Sequence, residues 1–289
     1  MLPIAMLVGV VLHNVIGYVA FLSKYLIFVM LLITFTRVSP SRMKPDKSML
    51  WLLLVQVLGS LALYLALLPL SVDVAQAAFI CVFCPTATAA PVITGMLGGN
   101  IEKVATYSIF CNLAVAFLGP VLLAWIGESA DITFLDALGN IAYSVLPLIV
   151  APLIVANLLR LTFPAGHRTL ASHQGLSFYI WAVSLIIVVG NAVSFIMKEP
   201  PSRIPEMVVI AAMSFLLCIA QFVIGRRIGR RYGDAVAGAQ SLGQKNTVLA
   251  IWLALSYLAP VASVGPASYI AWHNTVNSWQ IYRRTKASR

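Results

Sequence analysis

The sequence SLGQKNT, residues 241–247, interrupts an apolar run that extends from about residue 235 to residue 259. Within it, Lys245 lies fourteen residues from Arg231 and fifteen from Pro260. If this run is a membrane-spanning helix, the lysine is about 20 Å from either end. A lysine side chain cannot reach water over that distance, and a cation at mid-membrane costs about 2.5–3.5 kcal/mol on insertion scales. Lys245 must therefore face a cavity or a partner, or be neutral.

A second interruption is CPTATAAP, residues 84–91, within an apolar run from about residue 74 to residue 97. Its two prolines lie six residues apart and break the helical hydrogen-bond ladder twice. Protein groups or cavity water must satisfy the freed carbonyls, because lipid offers no donor. Discontinuous helices near mid-membrane are where secondary transporters bind substrate. A kinked helix with a purely structural role is the alternative interpretation.

The composition around these motifs is that of an integral membrane protein. Of the 289 residues, 61% are hydrophobic and only 10% are charged, whereas a soluble domain carries about 25% charged residues. Apolar runs long enough to cross a bilayer recur along the whole chain. They predict ten helices, at about 2–18, 20–38, 48–70, 74–97, 101–127, 133–160, 172–196, 205–228, 235–259 and 262–283.

The charged residues predict the orientation of these helices. The net charge is +10, but the basic residues form short clusters between apolar runs, which favours topology signals over a nucleic-acid-binding surface. The even-numbered connections and the C-terminal tail hold 15 of the 19 basic residues, and the odd-numbered connections hold six of the nine acids. We therefore expect a multi-pass protein of the cell membrane with both termini in the cytoplasm and no nucleic-acid partner.

The helix count also predicts an internal repeat. Cutting the chain after residue 131 gives an N-terminal half, 1–131, with helices 1–5 and a C-terminal half, 132–289, with helices 6–10. An odd number of crossings per half gives the halves opposite orientations, as in many secondary transporters. The predicted fold is thus all-α, with ten transmembrane helices in two inverted five-helix repeats.

Other polar residues within the spans are candidates to line a cavity: Gln56, Ser108, Asn112, His273, Asn274 and Asn277. Isolated polar residues of this kind also bridge helices without binding a ligand. By this topology no carboxylate lies at mid-membrane. The four cysteines, Cys81, Cys84, Cys111 and Cys218, fall in apolar segments. Small buried side chains are therefore the favoured interpretation, and we predict no enzyme activity, no metal and no cofactor.

Four motifs resemble the bile acid:sodium symporter family in their order and spacing. They are the Cys-Pro pair at 84–85 followed by Thr88, the Gly-Asn pair at 99–100, the Gly-x-x-Asn sequence at 243–246, and the Trp-His-Asn triplet at 272–274. The resemblance implies that helices 4 and 9 are broken and cross at the binding site. It also implies transport of organic anions by alternating access. It assigns a core to 48–127 and 205–283 and a panel to 2–38 and 133–196.

Several residues that bind sodium in that family are replaced by other residues in this chain. The Ser-Asn pair that ends the family's Cys-Pro motif falls on Ala90 and Pro91. The glutamate that serves both sodium sites falls on Ser241, and a glutamine ligand falls on Lys245. Gln56 matches a third-span glutamine ligand. The shared carboxylate is therefore missing, and a cation takes a ligand's position.

These departures lead to a hypothesis about coupling. The ammonium of Lys245, with Ser241 and Gln56 beside it, would replace one sodium ion, so transport would not need sodium. Alternatives are that Lys245 couples transport to protons, or that it pairs with a substrate carboxylate. The predicted partners are the lipid bilayer and a small organic anion, with substrate-binding residues Thr86, Thr88, Ser108, Asn112, Gln244, Asn246, His273 and Asn274. A sodium-coupled symporter with a rearranged ion site and a non-transporting receptor or sensor remain alternative functions.

Overall fold

The computed structural model describes residues 2–36, 38, 40–127, 143, 150–173, 175–197 and 201–287. In these residues the chain forms α-helices and short 3-10 turns, and the β pairing is limited to an isolated bridge between Thr86 and Lys245. The boundary proposed after residue 131 lies outside the described residues, as does most of the sixth predicted span.

Fourteen α-helices lie within the described residues. Those before residue 128 are α1 (Leu2–Val11), α2 (His13–Ile16), α3 (Leu22–Phe35), α4 (Lys47–Leu67), α5 (Val72–Phe83), α6 (Ala90–Met96) and α7 (Ile101–Ile126). Those after residue 149 are α8 (Val150–Thr162), α9 (Pro164–Ser172), α10 (Gly175–Ile196), α11 (Ile204–Arg231), α12 (Ala235–Gly243), α13 (Thr247–Tyr257) and α14 (Val264–Ala287).

The helices have the lengths and apolar character of a membrane-embedded protein. Four segments are long and apolar enough to cross a bilayer: Lys47–Leu67, Ile101–Gly119, Gly175–Ser194 and Pro201–Arg231. Four shorter apolar helices accompany them: Tyr25–Phe35, Val72–Phe83, Val150–Thr162 and Thr247–Tyr257.

Three of the predicted spans differ from continuous helices. The first, 2–18, is divided after Val11, and the fourth and ninth are each split into two half-helices by the interruptions described above. The connection between the sixth and seventh predicted spans contains an additional helix, α9, which has no buried residues and which we did not predict from the sequence. Pro164 occupies the first turn of α9, where its missing N–H leaves no helical hydrogen bond unmade.

Side-chain caps fix the starts of the core helices. The Asp46 carboxylate accepts hydrogen bonds from the backbone N–H groups of Ser48 and Met49 at the start of α4. Asp234 caps α12 in the same way through the N–H of Ala237. Caps of this type satisfy N–H groups that a helix leaves free at its first turn. The remaining side-chain caps among these helices are Ser71 on α5, Asn100 on α7 and Asn246 on α13.

Several connections that contain basic residues lie at one end of the molecule. The Lys103 ammonium lies 2.6 Å from an Asp46 carboxylate oxygen and 3.1 Å from the Tyr232 carbonyl oxygen. Nearby, the Asp234 carboxylate accepts a hydrogen bond from the Asn100 N–H, and the Arg284 guanidinium donates to the Leu97 carbonyl. The connections before α4, after α6 and after α11 therefore lie together with the end of α14. We call this the basic end.

At the opposite end, ion pairs of Arg203 and hydrogen bonds of Gln76 connect the helices. The Arg203 guanidinium lies 2.7 Å from Asp73 and 3.1 Å from Glu206. The Gln76 amide oxygen accepts a hydrogen bond from the Ala259 N–H, and its nitrogen donates to the Ile126 carbonyl. Consequently α4 and α7 begin at the basic end, whereas α11 and α14 begin at the opposite end.

Glycines allow α11 and α12 to approach closely. A methyl group on Gly238 would collide with the Gly225 carbonyl oxygen and with the backbone of Gly229. Small residues at such contacts are typical of helix pairs in membranes, where packing rather than the hydrophobic effect drives association. This contact fixes the position of α12, which leads at its C-terminal end into the interruption at residues 241–247.

Candidate functional site

The two helix interruptions lie against each other. Thr86 and Lys245 form an antiparallel bridge. On either side of it, the Ala87 N–H donates to the Gln244 carbonyl at 3.1 Å, and the Asn246 N–H donates to the Pro85 carbonyl at 2.8 Å. Each break thus satisfies backbone groups that the other break frees, as an apolar interior requires.

The Lys245 ammonium donates hydrogen bonds to carbonyls at the C-terminal end of α5. Lys245 is only 1% exposed, and its Nζ atom donates to the carbonyl oxygens of Val82 at 2.7 Å and Cys84 at 3.0 Å. A helix C-terminus carries roughly half a negative charge and unsatisfied carbonyls. The lysine forms no ion pair with any carboxylate of the described residues. The end of α5 therefore supplies both the acceptors and the opposing partial charge.

Gln56 of α4 also donates hydrogen bonds to the carbonyls at the end of α5. Its amide nitrogen donates to Phe83 at 2.8 Å and to Cys84 at 3.3 Å, and its amide oxygen accepts a hydrogen bond from the Tyr107 hydroxyl at 2.9 Å. Gln56 is fully buried. Three successive carbonyls, from residue 82 to residue 84, thus accept hydrogen bonds from Gln56 of α4 and from Lys245 between α12 and α13.

Thr86 and Ser241 join the interruptions without touching the lysine ammonium. The Thr86 hydroxyl donates to the Ser241 carbonyl at 2.5 Å, and the Thr86 N–H donates to the Cys111 sulfur at 3.2 Å. Ser241 takes part through its backbone. Gln56 shares the Cys84 carbonyl with the lysine ammonium. A role of Gln56 and Ser241 in a substitute ion site stays a prediction.

A glutamine–tyrosine pair recurs in the second half of the chain, and the sequence analysis missed it. The Gln221 amide of α11 donates to the Tyr269 hydroxyl of α14 at 2.9 Å, and that hydroxyl donates to the Gly243 carbonyl at 2.9 Å. Gly243 is the last residue of α12. The pair of Gln56 and Tyr107 likewise meets the end of α5. A glutamine and a tyrosine in the third and fifth predicted spans of each proposed half were the available sequence signal.

A cavity of about 80 Å³ adjoins the paired interruptions. Its lining combines the broken segments with α14 and with two helices assigned to the panel, α3 and α10. Met30 of α3 and Trp181 of α10 contribute apolar surface. The predicted site residues in the lining are Thr88, Gln244, Lys245, Asn246, His273 and Asn274.

His273 lines this cavity and has a buried polar atom without a hydrogen-bond partner among the described residues. It is 6% exposed, and its Nδ1 has no hydrogen-bond partner among the described residues. Its ring packs edge-on against Tyr269, with 5.5 Å between the ring centres. A buried polar atom without a partner is costly unless a ligand or water supplies one. The positive end of α13, at Thr247 and Val248, lines the same cavity.

Most other polar side chains in the lining are already engaged. The Asn246 side chain accepts a hydrogen bond from the Leu249 N–H and so caps α13. The Gln244 amide donates to Gln240 at 2.8 Å, and the Asn274 amide donates to the Ile270 carbonyl at 2.7 Å.

Three predicted substrate-binding residues do not line this cavity. Thr86 is buried in the bridge, and Ser108 and Asn112 are buried on α7. The Asn112 amide nitrogen donates to the Ser108 carbonyl, while the Ser108 hydroxyl and the Asn112 amide oxygen have no partner in the described part of the chain. Contact between these three residues and a substrate stays a prediction.

The cysteines and histidines do not assemble into a metal centre within the described residues. The four cysteines are free and buried. The Cys84 thiol donates to the Asn246 carbonyl at 3.2 Å.

No family model and no curated protein matches this chain.

Proposed function

We propose that this protein is a secondary transporter of a small organic anion, and that the Lys245 ammonium takes the place of a coupling sodium ion. The proposal includes ten membrane crossings in two inverted halves, with both termini in the cytoplasm. The observation that carries it is the bond of the buried Lys245 ammonium to the carbonyls of Val82 and Cys84, beside the paired interruptions.

The helix directions support the inverted repeat. α4 and α7 run from the basic end toward the opposite end, and α11 and α14 run back. Each half also contains a glutamine–tyrosine pair at the break between two half-helices, α5 and α6 in one half and α12 and α13 in the other. Because basic connections remain on the cytoplasmic side, the basic end is the cytoplasmic one.

The position of the Lys245 ammonium supports its role as a fixed cation. In broken-helix transporters, the carbonyls at the C-terminal ends of half-helices coordinate the transported sodium. Here Nζ occupies that kind of position on α5, and its stem comes from the other interrupted helix. A permanent cation can hold the two breaks together without a mobile ion. We therefore propose that substrate binding requires no sodium.

The same bonds argue against direct pairing of Lys245 with substrate. Two of the three donors of a lysine ammonium are used by Val82 and Cys84. The other groups at the cavity that can meet an anion are the N-terminal end of α13 and the His273 imidazole, whose Nδ1 has no partner among the described residues. Half-helix N-termini bind anionic substrate groups in other transporters. We therefore assign the anionic group of the substrate to these two features.

The size of the cavity limits what this conformation can hold. A volume of about 80 Å³ accommodates a small acid group rather than a complete large anion. Panel residues close it on one side, so movement of the panel against the core would open it. Such movement is the basis of alternating access.

The test is counterflow in proteoliposomes. Vesicles containing the purified protein are loaded with an unlabelled short-chain carboxylate, and entry of the radiolabelled compound is followed for a panel of such acids. The proposal predicts protein-dependent counterflow for at least one acid. Saturable binding without counterflow for any acid that binds would favour a non-transporting receptor and would contradict the proposal.

A further inference from the structure

A second, larger cavity of about 570 Å³ lies at the basic end and shares no lining residue with the small cavity. Its walls are formed mainly by α11 and α14. Leu97 and Val236 also line it. We call this cavity the α11–α14 groove.

The groove carries positive charge without a matching acid. Arg226, Arg283 and Arg284 line it, and no carboxylate does. Arg226 is half-buried and forms no ion pair with any residue that the structure describes. The Arg283 guanidinium lies 5.1 Å from the centre of the Trp279 ring. At least two guanidinium groups are therefore available to an anion.

The two walls share one pattern of side chains. On α11, Ile219 and Val223 precede Arg226 at spacings of four and three residues. Such spacings place side chains on one helix face, and seven residues correspond to about 10 Å along the axis. Ile219 is 37% exposed and Val223 is 42% exposed. The apolar side chains of this wall are therefore exposed on the surface of the protein.

The α14 wall repeats that order. Val276 and Trp279 precede Arg283 at spacings of three and four residues. Because α11 and α14 both end at the basic end, both walls are apolar toward mid-membrane and cationic at the cytoplasmic level. An exposed tryptophan beside arginines is typical of the interface between membrane and water.

We propose that the α11–α14 groove binds an anionic phospholipid of the cytoplasmic leaflet, with its phosphate between Arg226 and Arg283 and an acyl chain along Val223 and Val276. Charge complementarity supports this occupant, because the cytoplasmic leaflet is rich in anionic lipids that basic residues attract. A small hydrophilic phosphate would use the arginines but leave the exposed apolar walls unused.

The test is native mass spectrometry of the full chain in a neutral detergent. Phosphatidylglycerol or phosphatidylcholine with the same acyl chains is added, and lipid-bound species are counted. We expect wild-type protein to retain phosphatidylglycerol preferentially. The double variant Arg226→Gln and Arg283→Gln should bind it about fivefold more weakly per arginine removed. The control variant Arg227→Gln and Arg230→Gln removes equal charge from exposed positions outside the groove.

Two further arms keep the proposal falsifiable. Val223→Gln should weaken phosphatidylglycerol binding by making the apolar wall polar, while leaving the arginines intact. Glycerol 3-phosphate, added at the lipid concentration, should not displace the lipid. Equal lipid retention by wild type and the Arg226/Arg283 variant, an equal loss in the control variant, or equal binding of the two lipids would overturn the proposal. Complete displacement by glycerol 3-phosphate would reassign the groove to a soluble phosphate and also overturn it.

Discussion

The Nζ atom of Lys245 lies 2.7 Å from the carbonyl oxygen of Val82, so a side chain from one interrupted helix closes the end of the other. The two residues are separated by 163 positions in the sequence. Their contact links the N-terminal and C-terminal parts of the chain where both helices are broken. The same two breaks form part of the wall of the small cavity.

Lys245→Met should abolish transport and lower stability. Methionine keeps much of the apolar volume but donates no hydrogen bond, so the carbonyls of Val82 and Cys84 lose a donor. An unsatisfied buried acceptor costs about 1–3 kcal/mol. The measurement is thermal unfolding in detergent, followed by counterflow in proteoliposomes.

Lys286→Met is the matched control, because Lys286 is exposed near the end of α14. Its unfolding temperature and transport rate should match those of wild-type protein. Transport at the wild-type rate in Lys245→Met would remove the lysine from the mechanism.

The Gln56–Tyr107 hydrogen bond should appear as an energetic coupling. Gln56→Leu and Tyr107→Phe each break the same 2.9 Å bond, so the double variant should lose less stability than the sum of the single variants. Contacting residues typically show coupling of about 0.5–3 kcal/mol. A double-mutant cycle of unfolding free energies measures it.

The matched cycle in the second half uses Gln221→Leu and Tyr269→Phe, which break the corresponding 2.9 Å bond. If the two halves share one architecture, both cycles should give coupling of the same sign. Strict additivity in the Gln56–Tyr107 cycle would show that this pair has no energetic role at the break.

His273→Phe should separate substrate affinity from stability. The substitution removes a buried nitrogen that has no partner, so stability should hold or rise. Loss of a hydrogen bond to a charged group is worth about 1.5–3 kcal/mol, which corresponds to at least a tenfold loss of affinity for the transported anion. Titration of the thermal shift with that anion measures both quantities.

His167→Phe provides the control, because His167 lies on α9 outside the cavity. It should leave the affinity unchanged. Unchanged affinity in His273→Phe would show that the substrate does not use the imidazole.

Asp46 should make stability depend on acid pH. Burial by itself raises the pKa of this carboxyl, but hydrogen bonds from Lys103 and Ser48 and the charge of Lys103 outweigh burial and lower the pKa below its usual value. The stabilisation is therefore present above the unfolded-state pKa of about 3.9. It is lost as the pH falls through the lowered folded-state pKa.

Unfolding temperatures of wild type and Asp46→Asn, measured between neutral and acid pH, test this. The wild type should be more stable at neutral pH, and the difference should shrink below about pH 4. A difference that stays constant across the range would mean that the Asp46 charge contributes nothing.

The interruptions were predictable from sequence because they are local. Pro85 cannot donate a helical hydrogen bond beyond the end of α5, whereas Pro91 fits the first turn of α6, so the two prolines produce one break. The polar run at 241–247 cannot continue an apolar span. The burial of Lys245 followed from its distance to either helix end. All three predictions need only the chemistry of neighbouring residues.

The acceptors of Lys245 could not be predicted in the same way. They are backbone carbonyls of Val82 and Cys84, and carbonyls at a helix end carry no residue-specific signal. The lining of the cavity could not be predicted from sequence either. Thr86 and Thr88 lie in one irregular segment, and of these two only Thr88 lines the cavity. Helix packing, rather than sequence spacing, decides which of them faces inward.

The sodium dependence of counterflow tests the central claim most directly. Wild-type protein in proteoliposomes is supplied with its transported carboxylate in sodium chloride, and then in choline chloride at equal ionic strength. The account predicts equal initial rates, because the Lys245 ammonium already occupies the cation position on the carbonyls of Val82 and Cys84. A steep requirement for sodium would contradict it.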